Sequence, residues 1–177
     1  MFRSLFVGTL LAASLAMPAV SAPGREEFHA FLTGFNETGA LNNETGAILS
    51  NGTGRLDLKL DLASKTITYT LRFENLSSAV TQSHIHFGKE HVPGGVMVFF
   101  CSNLATAPAG TQPCPANGGT VTGTITGANV LAVPGQNVPA GDFDAVADAI
   151  SSHAAYVNIH TTNFPAGEIR GQLTREY

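Results

Sequence analysis

The amino-acid sequence predicts an all-β protein, either an antiparallel β-sandwich or a partly closed barrel, with one short helix late in the chain. Three observations support this fold class. Two long segments alternate apolar and polar residues with period two, and six shorter segments are rich in β-branched and aromatic residues. Turn-forming combinations of Asn, Pro and Gly separate these segments, and only one stretch has helical spacing instead.

The two alternating segments lie at residues 55–62 and 66–73. In the first, leucines recur at every second position from Leu56 to Leu62, and charged residues occupy the other face. In the second, Ile67 begins an apolar face that opposes threonines and an arginine. Because a three-residue link joins the segments, we predict an antiparallel hairpin with one buried and one solvated face.

The shorter segments predict six further strands, each bounded by turn signals. A helix is predicted after Asp142, which would cap it, because Phe143, Val146 and Ile150 recur at helical spacing. The six strands are Phe28–Gly34, Ser83–Phe87, Val96–Cys101, Thr120–Thr126, Ala155–His160 and Glu168–Thr174.

The start of the chain has the pattern of a cleavable signal peptide. Arg3 precedes an apolar run of twelve residues from Leu5 to Ala16, a Met-Pro pair ends the run, and Val20–Ala22 offers a small-residue cleavage site. We therefore expect residues 1–22 to be removed and residues 23–177 to form one β domain, secreted or periplasmic. No later segment approaches the roughly 20 apolar residues of a membrane span, so none is predicted.

Composition and charge narrow the expected partners. The chain is 12% charged, has a formal net charge of −4 and contains no basic run, so neither nucleic acid nor an anionic membrane is expected as the main partner. The remaining candidate partners are an unknown protein, a small ligand and a metal ion. The two cysteines, Cys101 and Cys114, are expected to form a disulfide in an oxidising compartment.

Histidines supply the main candidate for chemistry. His84 and His86 lie two apart on a predicted strand, so both imidazoles project from one face. Alternation along residues 155–160 places His160 on the same side as Asn158, where it could supply a third imidazole. Three imidazoles with an open position suit Cu(II) or Zn(II), with water or His91 as a fourth ligand. The alternative is a purely structural role, in which the rings tie strand ends together by hydrogen bonds.

A local arrangement occurs twice around these histidines. An Ile-His pair at 85–86 and another at 159–160 each end a predicted strand, and each is followed by a loop with a Pro-x-Gly turn. If the two hairpins lie side by side, His86 and His160 occupy equivalent positions at strand ends.

Three more polar residues are candidates for orienting the histidines, namely Asn158, Glu168 and Arg170. Glu168 and Arg170 lie two apart on the last predicted strand and are expected to share a face. Glu168 could bond to a ligating histidine or act as a general base. The alternative is an ion pair or a cross-strand pair. No nucleophile motif or paired carboxylate completes a catalytic site, so no catalytic residue is assigned.

Six motifs follow one another over nearly all of the chain after residue 22: Phe28–Gly34, His84–Gly88, Gly119–Gly123, Ala140–Phe143, Tyr156–Thr161 and Gly167–Leu173. In this order they resemble the CHRD domain, known from chordin and from bacterial secreted proteins. One departure is Ser152–Ala154, where that family commonly has glycine. The resemblance implies a compact immunoglobulin-like or barrel-like β domain outside the cytoplasm, and it implies no agreed enzymatic activity.

The segment His84–Gly88 is also similar to the copper strand of copper/zinc superoxide dismutases, which are β-barrels. No second histidine cluster matches the bridging and zinc ligands of those enzymes, so the likeness is an analogy. Three hypotheses follow: a non-enzymatic extracytoplasmic binding or structural module, a copper- or zinc-binding protein, and a redox enzyme similar to a superoxide dismutase. The first is favoured because no catalytic constellation is complete.

Overall fold

The computed structural model describes residues 24–38 and 46–176, so the predicted signal peptide at residues 1–22 lies outside the described residues. Within them the chain forms nine β-strands and one α-helix. The strands are β1 (Arg25–Thr33), β2 (Thr53–Asp61), β3 (Thr66–Glu74), β4 (Val80–Phe87), β5 (Gly95–Ser102), β6 (Gly119–Ile125), β7 (Ala155–Thr161), β8 (Ile169–Gln172) and β9 (Thr174–Arg175), and the helix is α1 (Phe143–Ser151).

The strands form one antiparallel sheet in the order β5-β4-β7-β8-β1-β2-β3-β6, with β9 paired to β1. The two end strands, β5 and β6, approach each other, so the sheet curls into a nearly closed barrel. The predicted all-β class with one short late helix is confirmed. Of the two architectures left open, the chain adopts the barrel.

The predicted hairpin is β2 and β3, paired with Leu56 opposite Leu71 and Leu58 opposite Tyr69. These four side chains are buried in the hydrophobic core, as the period-two pattern requires. Leu62 differs from the prediction: β2 ends one residue earlier, and Leu62 is 45% exposed in the turn.

The predicted helix is confirmed as α1. Asp142 caps it, with Oδ1 accepting a hydrogen bond from Ala145 N at 3.0 Å. Phe143, Val146 and Ile150 are buried, so the apolar stripe faces the core. No helix in the described part of the chain is long and apolar enough to cross a membrane.

A disulfide and two side chains close the seam between β5 and β6. Cys101 and Cys114 are bonded, with Cα atoms 5.0 Å apart, as predicted. The disulfide fixes the loop 103–113 beside the seam, where Gln112 Nε2 donates to Thr122 O at 3.0 Å and to Tyr69 Oη at 2.9 Å. Tyr69 in turn donates to the carbonyl of Phe100 at 3.3 Å. The side chains therefore bridge the gap in the backbone ladder.

Candidate metal centre

Strands β4 and β7 position the candidate site. They pair directly, with His84 opposite Asn158. The core contains Ile85, Val157 and Ile159, which alternate with the site residues, so the histidines lie on the outer face of the barrel. The loops after β4 and β7 cover this part of the outer face, and the histidines are buried there.

The three histidines singled out from the sequence lie together. One ring nitrogen from each of His84, His86 and His160 lies within 4.8 Å of the others. The ring centroid of His84 is 5.3 Å from that of His86 and 4.9 Å from that of His160, whereas His86 and His160 are 6.4 Å apart. Because β4 and β7 are antiparallel, His86 and His160 approach from opposite ends and His84 lies between them.

The repeated Pro-x-Gly turns orient the two outer histidines. His86 Nδ1 lies 2.9 Å from the carbonyl of Gly94, and His160 Nδ1 lies 2.9 Å from that of Pro165. A carbonyl only accepts hydrogen bonds, so Nδ1 carries the proton in each ring and Nε2 keeps its lone pair. Gly94 suits this turn because a Cβ there would overlap the Phe87 carbonyl. Each histidine is therefore held by the turn that follows its own strand.

The remaining ring nitrogens of the group have no hydrogen-bond partner in the described part of the chain. Nε2 of His86 and His160 and both ring nitrogens of His84 are buried without a hydrogen bond among the residues that the structure describes. A buried polar atom left unpaired costs about 1–3 kcal/mol. A metal–nitrogen bond of about 2.0 Å needs nitrogens roughly 3.3–3.5 Å apart, so each ring would move by less than about 1 Å to bind an ion.

Burial keeps all three rings neutral. It lowers the pKa of His84 to about 2, and the neighbouring His160 and His86 lower it further. Burial also lowers the pKa of His86 to about 4, although the Gly94 carbonyl favours its protonated form. The pKa of His160 is lowered by burial as well. At neutral pH the unpartnered lone pairs are therefore available to a cation.

A stack of three side chains lies behind His86. The ring of Tyr156 is parallel to that of His86, 3° between planes and 4.7 Å between centroids, and Arg170 Cζ lies 3.3 Å from the Tyr156 centroid. Arg170 is 2% exposed. It donates to the carbonyls of Lys89 and Val92 at 3.0 Å, and thus fixes the loop over the site. Arg170 is therefore linked to His86 through the Tyr156 ring, which stacks on both side chains.

Glu37 is a neighbour of the site that the sequence did not reveal. It is 5% exposed, and its Oε1 accepts a hydrogen bond from Asn158 Nδ2 at 2.6 Å. Burial raises the pKa of Glu37 to about 7, against the opposing charge of Arg170. The sequence around Glu37 gives no signal of a contact with Asn158, because the two are brought together by folding alone. Both line a cavity of about 140 Å³ that His86 also borders.

Gly167 allows this contact between Asn158 and Glu37. Its φ is +132°, and a Cβ there would strike Asn158 Nδ2 and the carboxyl group of Glu37. The glycine of the second Pro-x-Gly turn therefore serves close packing beside the histidines.

Two residues proposed from the sequence lie elsewhere. Glu168 precedes β8 and accepts hydrogen bonds from Ser50 Oγ, Thr161 Oγ1 and both the backbone N and Oγ of Ser77, at 2.6–2.8 Å. It bonds to none of the three histidines, and it shares no hydrogen-bond partner with Arg170 in the described chain. His91 is 66% exposed, lies 3.7 Å from Glu90 Oε1 and does not join the histidine group.

The fold and this group define a class of protein: a small β-barrel module with a buried three-histidine group on the outer face of its sheet. The family model of the CHRD domain matches residues 28–173, which is most of the chain. The chain belongs to the CHRD domain family, as the motif order predicted. No curated protein and no solved structure matches the chain. At the level of the family, membership supports a non-enzymatic extracellular module.

Proposed function

We propose that this protein is an exported, non-enzymatic module that binds one copper or zinc ion through His84, His86 and His160. Residues 1–22 are the signal peptide in this proposal, and residues 23–177 are the working domain. The observation that carries it is the set of buried ring nitrogens, within 4.8 Å of one another and without hydrogen-bond partners in the described chain.

The hydrogen-bond pattern favours metal binding over the structural alternative. A structural network would use the ring nitrogens to join strands, but among the described residues no hydrogen bond links the three rings to one another. The two bonds that exist hold Nδ1 of His86 and of His160 and leave Nε2 of each ring buried without a partner in the described chain. Fixing one nitrogen with a carbonyl while the other stays free is the arrangement of metal-bound histidines in general.

The surroundings support binding rather than turnover. Asn158, Tyr156 and Arg170 each already contact protein groups, so they orient the site. The histidine nitrogens are buried under the loops after β4 and β7. An ion of small radius can enter by slight movement of these loops, whereas a larger substrate would need them displaced.

Calorimetric titration of the purified, tag-free chain with Cu(II) and with Zn(II) tests the proposal. We expect one ion per chain, no binding in the His84→Ala/His86→Ala double variant, and unchanged binding in His91→Ala. His160→Asn is a gentler variant, since the Asn amide can still donate to the Pro165 carbonyl but removes the free Nε2. It should also lose the ion. Binding that survives in His160→Asn and in the double variant, each shown folded by circular dichroism, would overturn the site.

A further inference from the structure

We infer that the three-histidine group selects a monovalent ion and holds copper as Cu(I) in preference to Cu(II) or Zn(II). The inference rests on the proposed metal binding and adds the charge state of the ligand. It follows from the neutrality of the donors, their burial and the charges around them.

The donors bring no negative charge. All three are imidazoles, and no carboxylate or thiolate in the described part of the chain joins the group. The complex therefore carries the full charge of its ion into a buried region. Because the cost of desolvating an ion grows with the square of its charge, a divalent ion costs about four times as much to bury there as a monovalent ion of similar size.

A buried positive charge lies in the stack behind His86. Arg170 is buried and stacks on Tyr156, which stacks on His86. Its positive charge repels any positive charge placed on the His86 ring. The same repulsion acts on a metal ion bound to the ring, and it is twice as large for a divalent ion.

The carboxyl group in the adjoining cavity is a weak counter-charge. Among the residues that line the cavity beside His86, Glu37 is the acidic one. It bonds to Asn158, and burial raises its pKa to about 7, so near neutral pH much of it is uncharged. A neutral carboxyl group offers little compensation for a second positive charge.

The number of donor atoms also favours Cu(I). Zn(II) in three-histidine sites takes a fourth ligand, and Cu(II) prefers tetragonal geometry with at least four. Cu(I) has a filled d shell and accepts three ligands in a trigonal arrangement. The described side chains supply three, and His91, the fourth candidate, is exposed in the covering loop.

Anaerobic competition for Cu(I) against bicinchoninate, beside chelator competitions for Cu(II) and Zn(II), tests the inference on the wild-type chain. We expect Cu(I) to gain at least about a hundredfold over Cu(II), relative to the free ions. A hundredfold preference corresponds to a reduction potential of bound copper about 120 mV above that of the free ion couple, at 59 mV per tenfold change. Ag(I) is a monovalent ion that is not oxidised or reduced under these conditions. It should compete with Cu(I) for the site and shift the NMR resonances of the three imidazoles.

The outcomes separate the inference from the proposed function. If none of the ions binds, both fail. If Zn(II) or Cu(II) binds more tightly than Cu(I), through the same histidines, the metal site stands and the monovalent preference is overturned. Because this comparison uses the wild-type chain, it does not depend on whether any variant folds.

An added charge gives an independent check. Asn158→Asp places a second carboxylate beside the group and should lower the potential of bound copper and tighten Zn(II) binding. Thr124→Asp adds the same charge at an exposed position of β6 and should change neither. Equal effects of the two substitutions would show that the local charge does not set the preference.

Discussion

Of the three histidines in the group, His84 has the surroundings that fit a structural role least well. Both of its ring nitrogens are buried without a partner among the described residues, and the ring of Phe99 contacts it edge-on at 4.2 Å between centroids. A residue kept for stability would have its polar atoms paired. If the group is the proposed metal site, it lowers the stability of the metal-free protein.

Replacing His84 with leucine should stabilise the metal-free protein. His84→Leu removes the unpaired nitrogens at similar volume, and we expect the free energy of unfolding to rise by about 1–2 kcal/mol. Urea denaturation with a chelator present measures this, and titration of the same variant should show no metal binding. Loss of more than about 2 kcal/mol on substitution would instead indicate a structural histidine.

The depressed histidine pKa values predict that acid destabilises the metal-free protein. Between pH 6.5 and about 4.5 the unfolded chain protonates its histidines, while the folded chain keeps His84 and His86 neutral because burial lowers their pKa to about 2 and about 4. The unfolded state then binds more protons than the folded state, so the free energy of unfolding decreases as the pH is lowered. Glu37 acts in the opposite sense, since its raised pKa makes the folded state take up a proton below about pH 7.

His84 and His86 against one carboxyl group leave a net loss of about 1.5 kcal/mol from pH 7 to pH 5, and His160, whose pKa burial also lowers, adds to this loss. Urea denaturation at the two pH values measures it, and His84→Leu should reduce the loss by roughly 2 kcal/mol. Stability that is flat or rises over this interval would mean that the rings are protonated in the folded state.

The sequence indicates the three histidines better than the residues around them. Two histidines at alternate positions of a strand share a face, and the structure brings His160 beside them. Glu168 was a candidate either for orienting a histidine or for a structural pair, but β8 begins after it and its side chain bonds to hydroxyl groups of two loops. Glu37 could not be found, because its position depends on a contact across 121 residues of chain.

At the scale of single elements, α1 depends on its N-terminal cap. Asp142→Ala removes the acceptor for the Ala145 amide, and we expect a loss of about 1 kcal/mol in the free energy of unfolding. Asp144→Ala is the matched control, since this exposed carboxylate in the first turn makes only a surface ion pair with Lys65. Thermal unfolding of both variants measures the difference, and equal effects would contradict the capping role.

The strands show what local pattern can and cannot predict. The alternation in β2 and β3 placed both within two residues of their ends, because each has one solvated and one buried face. Strand β4 begins at Val80 rather than Ser83, and its pairing with β5 shifts register between Ser83 and His84 and again between Ile85 and His86. Both faces of this strand are buried, so alternation carries no signal there, and irregular pairing depends on the partner strand.

For the molecule as a whole, the disulfide stabilises the closed barrel. The Cys101→Ala/Cys114→Ala variant should lose about 3 kcal/mol, as expected for a loop of this length in the chain-entropy model. Metal binding should persist, because the histidines lie on β4 and β7 and the disulfide lies at the β5 edge. Urea denaturation and a metal titration measure the two effects. Loss of metal binding in a folded variant would show that the seam and the site are coupled.

The choice between sandwich and barrel could not be made from the sequence. It depends on pairings between distant strands, such as β1 between β2 and β8, and on the meeting of β5 with β6. Period-two patterns fix which face of a strand is buried but not its neighbour. The sequence left both architectures open for this reason.

The way the seam is filled affects how copies of this protein behave in a crowded solution. Free amides and carbonyls along a sheet margin are templates on which other chains can add strands and start fibres. Here the β5 margin of the sheet faces the β6 margin. The Gln112 side chain donates a hydrogen bond to the Thr122 carbonyl. Ser102 N and Met97 O, both on β5, form hydrogen bonds with neighbouring loops. A molecule whose sheet margins are occupied in this way should stay monodisperse when concentrated.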